Sequence, residues 1–196
     1  MQVNTDHQPY SFRESTRRLV KWLANMPSIT RIMLMTIAFG MLTHGFVYCN
    51  TLIGHDNIKL FSAYVISPPR WSTQLFYFYR AYLQLPWVIG AVTLLELGMI
   101  NVLLARLFSI KRLMLQFLLV ITVVTFPSVI SFHNFGAVDL FTGSLLFSVL
   151  AVYLFQKSGL WSFLGSIVCL IISIASYQAF VCTASVLMLL VLLNRL

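Results

Sequence analysis

The sequence predicts an all-α, polytopic membrane protein with about six transmembrane helices and one further helix at the membrane surface. Of its 196 residues, 59% are hydrophobic and 9% are charged, whereas a typical soluble domain has about a quarter charged residues. Apolar runs of span length recur along the chain, and about 18 or more apolar residues in succession is typical of a bilayer-crossing helix. The basic residues cluster in the amino-terminal leader and in short connections between these runs.

That clustering also bears on the binding partners. A net charge of +8 can indicate a nucleic-acid partner. Here its distribution follows the expected membrane topology instead. We therefore expect membrane lipids as partners and no nucleic acid.

The leader, residues 1–31, is polar and basic. No small-residue cleavage site follows the first apolar run, so the first span is expected to be retained rather than removed as a signal peptide. Residues 10–26 alternate basic and apolar side chains with helical spacing. They predict an amphipathic helix on the anionic cytoplasmic leaflet.

Residues 32–196 form the predicted membrane domain. The predicted spans are residues 32–48, 85–108, 113–131, 138–155, 160–176 and 179–193. If the leader is cytoplasmic, the short connections that carry Lys111, Lys157 and Arg195 are cytoplasmic as well, as the positive-inside rule requires. The pattern predicts a multi-pass protein with a cytoplasmic amino terminus.

The first outward loop, residues 50–84, is the only outward connection with room for a site. It begins with polar, turn-forming residues and continues through Pro68 and Pro69, which interrupt any helix. Residues 71–83 are rich in aromatic side chains, which are enriched at membrane interfaces. We expect them to form a helix lying roughly in the membrane plane.

Asp56 is the acidic residue of this loop. A partly desolvated carboxylate at the membrane surface can act as a general base, but the sequence around Asp56 is also good turn chemistry. The neighbouring His55 could orient Asp56 or bind a metal. Because a lone His–Asp pair lacks further ligands, we expect no metal and no cofactor.

Three basic residues of the loop, Arg70, Arg80 and Lys59, face outward against the positive-inside trend. Guanidinium groups bind phosphate through paired hydrogen bonds, so these residues are candidates to hold a lipid phosphate. Contact with ordinary phospholipid headgroups explains them equally well. Trp71 follows Arg70 directly and is a candidate to support such a site.

Further polar residues fall within or beside the spans. Glu96 and Asn101 lie inside the second span, where ionisable and polar groups are functional candidates; for Glu96, helix packing or proton relay is the favoured role. Asp139 opens the fourth span and can favour the amino-terminal end of its helix. Tyr177 and Gln178 interrupt the last apolar stretch, as sugar-binding groups or as interfacial anchors.

The three cysteines, Cys49, Cys169 and Cys182, lack the spacing of a metal site. We expect them to behave as small hydrophobic side chains. A Cys49–Cys182 disulfide is the alternative, because both thiols are predicted near the outer face, where disulfides are permitted.

Several short motifs occur in a characteristic order from about residue 32 onward. They are NTLIGHDN at 50–57, PRW at 69–71, LP at 85–86, FP at 126–127 and YQAF at 177–180. In this order and topology the chain resembles the serotype-converting O-antigen glucosyltransferases of phages and enteric bacteria, the Gtr type II family. Members of that family are longer, which favours an amino-terminal fragment as the interpretation of this chain.

The resemblance implies an inner-membrane enzyme similar to C-type glycosyltransferases. Such an enzyme takes a sugar from a polyprenyl-phosphate donor at the periplasmic face and places it on an O-antigen acceptor. The essential acid of the first outward loop corresponds to Asp56, and Arg70 would stabilise the departing phosphate. Two other classes stay open: a non-enzymatic lipid-carrier flippase or transporter, which would better explain Glu96 and Asn101, and an accessory membrane subunit.

Overall fold

A computed structural model describes residues 12–50, 72, 85–132 and 138–194. All regular secondary structure in this part of the chain is α-helical, as the sequence predicts. The helices are α1 (Phe12–Asn25), α2 (Ser28–Cys49), α3 (Pro86–Leu107), α4 (Leu113–Val124), α5 (Pro127–Phe132), α6 (Val138–Phe155), α7 (Leu160–Ser176) and α8 (Phe180–Leu193).

Three of these helices, α2, α3 and α6, are long and apolar enough to cross a membrane. Their most apolar windows have a mean hydropathy of 1.6, 2.1 and 1.9. Helices α4, α7 and α8 are also apolar but shorter. At 1.5 Å per residue, α4 and α8 extend about 18 and about 21 Å, less than the roughly 30 Å of a hydrocarbon core.

Prolines and a glycine mark several of the helix boundaries. Pro27 directly precedes α2, and Pro86 occupies the first turn of α3, where the missing N–H group costs nothing. Gly159 separates α6 from α7 with a φ of +124°, a conformation that is rarely open to other residues. Pro86 and Gly159 explain why the start of α3, the end of α6 and the start of α7 agree with the predicted spans to within a residue.

The predicted third span, residues 113–131, is not one continuous helix. Helix α4 ends at Val124, and α5 begins at Pro127. A proline inside a helix removes one backbone hydrogen bond and clashes with the preceding turn. The Thr125 N–H still makes the helical bond to the Ile121 carbonyl (2.9 Å), whereas the Phe126 N–H donates to the Val123 carbonyl (3.4 Å), which Pro127 cannot reach as a donor.

Helix α3 lies at the centre of the bundle and packs against α2, α4 and α6. Its buried residues fall on more than one face, unlike the single buried stripe of α2. Leu97 and Ile100 join Val129 and Val149 in one apolar cluster. Ala105 joins a second cluster with residues of α2 and α4, so α3 holds the two sides of the bundle together.

Glycines bring α2 and α3 into close contact. A Cβ added at Gly90 would lie 2.5 Å from Cγ of Tyr48, and one added at Gly98 would lie 2.5 Å from Sδ of Met33. A Cβ at Gly40 would overlap Leu94. Small residues at these points let the helices approach closely, which is how much of the packing energy between membrane helices arises.

Serines line the contact between α6 and α7. Ser173 Oγ donates to the Ser144 carbonyl (2.8 Å), and Ser166 Oγ donates to the Ala151 carbonyl (2.8 Å). Ser148 Oγ donates to the Phe180 carbonyl of α8 (3.0 Å). The hydroxyls are thus satisfied by backbone of the neighbouring helix, as buried polar groups in an apolar environment require.

The amphipathic helix predicted for residues 10–26 is α1, which carries exposed apolar side chains, among them Leu19 and Trp22, beside basic ones. The buried Arg31 joins it to the bundle. Its Nε donates to Gln116 Oε1 of α4 (2.8 Å), and its Nη1 reaches the Leu23 and Ala24 carbonyls of α1 (3.3 Å each). Arg31 therefore belongs to α2 and satisfies carbonyls near the end of α1.

Candidate functional site

Most of the predicted site residues fall outside the part of the chain that the structure describes. These are His55, Asp56, Lys59, Arg70, Trp71 and Arg80. Their roles, and the interfacial helix predicted for residues 71–83, stay predictions. Tyr177 and Gln178 are described, and so is Ser72, which follows Trp71 directly.

Ser72 anchors the first outward loop to the carboxyl-terminal end of α7. Its side chain is fully buried, and its Oγ lies 2.6 Å from Oγ of Ser176. Both hydroxyls are also within hydrogen-bonding distance of the Ile172 carbonyl, at 3.1 and 2.8 Å. The loop and the residue that precedes Tyr177 therefore meet, although Ser72 and Ser176 are 104 positions apart.

Tyr177 directly follows α7 and forms an aromatic cluster. Its ring packs edge-on against Phe141 of α6, with ring centroids 5.0 Å apart, and it also contacts Phe180 of α8 at 5.4 Å. The Tyr177 N–H donates to the Ser173 carbonyl (2.9 Å), and the Tyr177 carbonyl accepts from the Phe180 N–H (3.2 Å). Gln178, in the same turn, is exposed.

An open groove of about 750 Å³ begins at this turn. One wall is formed by residues 122–131 of α4, α5 and their junction, and the other by residues 179–187, mainly of α8. Ile100 of α3 and Val149 of α6 contribute to its floor, and Tyr177 lines it as well. The lining is mainly apolar, with a few hydroxyls such as Ser128 and Thr183. This is the usual character of a site for a largely apolar ligand.

A buried acidic residue links α3 to α6. Thr142 Oγ1 donates to Glu96 Oε2 at 2.5 Å, and the same hydroxyl lies 3.1 Å from the Val138 carbonyl. Asp139, in the first turn of α6, is fully buried. Glu96 therefore takes part in the contact between two helices, in agreement with the helix-packing role predicted for it. Asn101 makes a similar link to α2, donating to Thr36 Oγ1 (3.1 Å).

His44 forms a hydrogen bond at the break between α4 and α5. Its Nε2 lies 3.1 Å from the Val124 carbonyl, which can only accept, so Nε2 carries the proton in this bond. Val124 is the last residue of α4, and carbonyls at a helix end need partners from outside the helix. His44 fills that need from α2.

The thiols and the metal-ligating residues form no centre in the described residues. Cys49 and Cys182 are exposed free thiols, and Cys169 is a buried one, so the alternative of a Cys49–Cys182 disulfide is wrong. Within the described ranges, no three His, Cys, Asp or Glu side chains come together as a metal site.

Sequence reasoning missed two residues at this end of the bundle. Ser72 sits between Trp71 and an aromatic run, and no local pattern separates it from an ordinary loop serine. Thr142 falls inside an apolar span, where a threonine usually bonds its own helix. A signal was available only for Thr142, because a buried carboxyl such as Glu96 needs a donor from a neighbouring helix.

The model of one protein family, described as glucosyl transferase GtrII, matches residues 45–196 of the chain. The match begins in the last turns of α2 and includes the first outward loop, the central helix α3, the groove and the Tyr177 turn. No curated protein and no solved structure matches the chain. With more than three quarters of its length matched, and with apolar helices of spanning length, the chain is a membrane protein of the GtrII glucosyl transferase family.

Proposed function

We propose that this protein transfers glucose from a polyprenyl-phosphate donor to an O-antigen acceptor at the periplasmic face of the bacterial inner membrane. The family match over residues 45–196 carries this proposal. Two features of the described bundle support it: an apolar groove suited to a lipid tail, and the attachment of the first outward loop beside that groove.

The chemistry of the proposal is assigned to the first outward loop. Asp56 removes the proton of the acceptor hydroxyl, and the oxygen attacks the anomeric carbon of the sugar as its bond to the lipid phosphate breaks. Arg70, helped by Arg80 and Lys59, stabilises the negative charge that grows on the departing phosphate. His55 orients Asp56. The reaction needs no metal in this scheme, because the basic side chains supply the positive charge.

Ser72 supports the assignment of Arg70 to the donor phosphate. Consecutive Cα atoms are 3.8 Å apart, so chain length alone keeps the Cα of Arg70 within about 7.6 Å of that of Ser72. Ser72 in turn bonds Ser176, next to Tyr177 at the head of the groove. A phosphate held by Arg70 would thus be close to a lipid tail in the groove. Trp71, Tyr177 and Gln178 would bind the sugar between them.

The proposed topology has six crossings. Helices α2, α3 and α6 cross alone, α4 and α5 together make the third crossing, and α7 and α8 complete the set. Residues 1–31 form a cytoplasmic leader, residues 32–196 form the membrane domain, and residues 71–83 form an interfacial helix. The basic connections after α3 and α6 then lie on the cytoplasmic side, in agreement with the positive-inside rule.

Complementation tests the proposal in a strain that makes both the polyprenyl-phosphate sugar and a suitable O-antigen. Asp56→Asn is expected to lower glycosylation by at least about 100-fold at normal protein level, because general-base catalysis contributes about that much or more. Asp6→Asn, the same change in the leader, is the matched control and should retain full activity. Full glycosylation by Asp56→Asn would refute the catalytic role.

A lipid-carrier flippase or transporter is the second candidate, and buried Glu96 favours it. Transport sites lie near mid-membrane, and Glu96 stands half-way along α3. Glu96→Gln in the same strain separates the two functions. Loss of glycosylation with Glu96→Gln alone, with Asp56→Asn fully active, would support transport. Loss with Asp56→Asn and retention with Glu96→Gln would support the transferase.

A further inference from the structure

A second cavity lies at the opposite end of the bundle from the Tyr177 turn, between the start of α2 and the end of α3. Its volume is about 440 Å³. It is lined by Pro27, Ser28, Ile29, Ile32, Val102, Ala105, Arg106, Ser109, Ile110 and Lys111. We call this cavity the basic pocket. None of its lining residues also lines the groove, and none of them is assigned to glucosyl transfer.

Two basic side chains give the basic pocket a positive charge. Arg106 and Lys111 are exposed lining residues, and none of the described acidic residues lines the pocket. Glu14 pairs with Arg18 on α1 (3.2 Å), and Glu96 faces Thr142 between α3 and α6. Among the described residues, the pocket thus has two basic side chains and no acidic one, a charge that suits an anionic ligand.

The inner wall of the pocket is apolar and part of the core. Ile32 and Ala105 are 1% and 5% exposed and belong to one apolar cluster, with Val102 packed against it. Ile29, at the outer edge, is 47% exposed. An occupant must accordingly combine an anionic group at the level of Arg106 with an apolar part that lies along α2 and α3.

The backbone that leaves the end of α3 has an unusual conformation at Ser109. Its φ is +53°, a left-handed geometry that normally favours glycine. The Ile110 N–H donates to the Ala105 carbonyl (2.8 Å) and the Ser109 N–H to the Arg106 carbonyl (3.3 Å), which ends α3 in a Schellman motif. A serine in this position places a hydroxyl in the pocket lining where the turn alone would favour glycine.

We propose that the basic pocket binds an anionic phospholipid of the surrounding membrane. Arg106 and Lys111 hold the phosphate, the Ser109 hydroxyl adds a hydrogen bond, and one acyl chain lies against Ile29 and Val102. Basic pockets between transmembrane helices are a recurring way of recognising anionic headgroups. Arg106 is also favourable at the carboxyl-terminal end of its helix, but that effect does not account for Lys111 or for Ser109.

Native mass spectrometry of the purified full chain tests this site, with phosphatidylglycerol and phosphatidylcholine as the probes. The unmodified protein should retain phosphatidylglycerol in preference to phosphatidylcholine. The double variant Arg106→Gln, Lys111→Gln should bind phosphatidylglycerol about 30-fold more weakly, since each basic side chain near an anionic surface contributes about fivefold. The melting temperatures of both proteins without added lipid should be similar. This measurement controls for folding.

The matched control is Arg112→Gln, Lys157→Gln, which removes the same charge from exposed residues that do not line the pocket. It should change phosphatidylglycerol binding by less than about threefold, because the removed charges act on the lipid only from outside the pocket and are screened by solvent. Equal weakening by the two double variants would overturn the proposal, since it would indicate diffuse attraction to a basic surface. Unchanged binding in the pocket variant would overturn it as well.

A second pair of variants tests the apolar part of the pocket without changing any charge. Ile29→Trp should fill the edge of the pocket and reduce retention of phosphatidylglycerol severalfold. Leu34→Trp, on an exposed position of the same helix outside the lining, should leave it unchanged. Equal retention by both tryptophan variants would contradict the assignment of the acyl chain.

Discussion

Helix α2 approaches α3 through glycines, whereas α7 approaches α6 through serines. In the first pair the backbones come close because Gly40, Gly90 and Gly98 leave room for side chains of the partner. In the second, hydroxyls such as that of Ser173 bond carbonyls of the facing helix. Close packing tolerates no added atom, while each hydrogen bond is a small and separable contribution. The two pairs should therefore respond very differently to single substitutions.

The difference also bears on the candidate site. The α2–α3 pair holds the two ends of the first outward loop, at Asn50 and Leu85. Ser176 of the α6–α7 pair bonds Ser72 of the same loop. Tyr177, which follows Ser176 and packs on Phe141 of α6, lines the groove. Close packing thus acts near Asn50 and Leu85, which flank the loop, whereas hydroxyl groups hold Ser72.

The largest effect is expected for Gly90→Ala. The new Cβ would lie 2.5 to 2.7 Å from three atoms of Tyr48, and overpacking of this kind costs about 1–3 kcal/mol. Gly45→Ala is the matched control on α2, because its Cβ would meet Met41 at an ordinary 3.7 Å. Unfolding of the purified protein by SDS in mixed bicelles measures both. Equal stability of the two variants would contradict the close-packing account of α2–α3.

An intermediate effect is expected for Thr142→Val, at the contact between the two pairs. The change removes the hydroxyl that donates to Glu96 and leaves a buried carboxyl short of one donor, a loss of about 1 kcal/mol, the usual net contribution of one hydrogen bond. Thr142→Ser keeps the hydroxyl and should lose less than the valine variant. The same unfolding measurement compares them, and a serine variant as unstable as the valine variant would point to lost packing.

The smallest effect is expected for Ser173→Ala, on the serine-lined contact. The bond to the Ser144 carbonyl measures 2.8 Å, and bonds of this kind between membrane helices contribute about 0.6 kcal/mol on average. Ser185→Ala is the control, since Ser185 is exposed and bonds only the Val181 carbonyl of its own helix (3.0 Å). A loss in Ser173→Ala as large as that of Gly90→Ala would remove the distinction between the two interfaces.

Much of the helical framework follows from local sequence. The bounds of α6 and α7 coincide with the predicted spans. Each helix corresponds to one uninterrupted apolar run, and the connection at Gly159 separates the two runs. The break between α4 and α5 was harder to predict although Pro127 is plain in the sequence. Prolines are tolerated in membrane helices when neighbouring groups satisfy the carbonyls left at the break, and here His44 of another helix bonds the Val124 carbonyl.

The candidate site depends on contacts that local patterns do not contain. The order of the motifs was enough to predict the family, and the match of the family model over residues 45–196 confirms it. The attachment of Ser72 to Ser176 joins segments 104 positions apart, and the groove arises from how α4, α5 and α8 are arranged around α3 and α6. Neither feature leaves a periodic pattern or a characteristic residue spacing in the sequence. The roles of Asp56 and Arg70 stay predictions.

Buried Arg31 has a consequence for the order in which the chain assembles during synthesis. Its partner Gln116 lies 85 positions later, and at about 5–20 residues per second the ribosome needs roughly 4–17 s to reach it. During that interval the first span is present, but its guanidinium lacks the amide that it finally bonds. The amino-terminal end of α2 can thus reach its final position only after α4 has been made, and a chaperone or insertase would have that time to hold it.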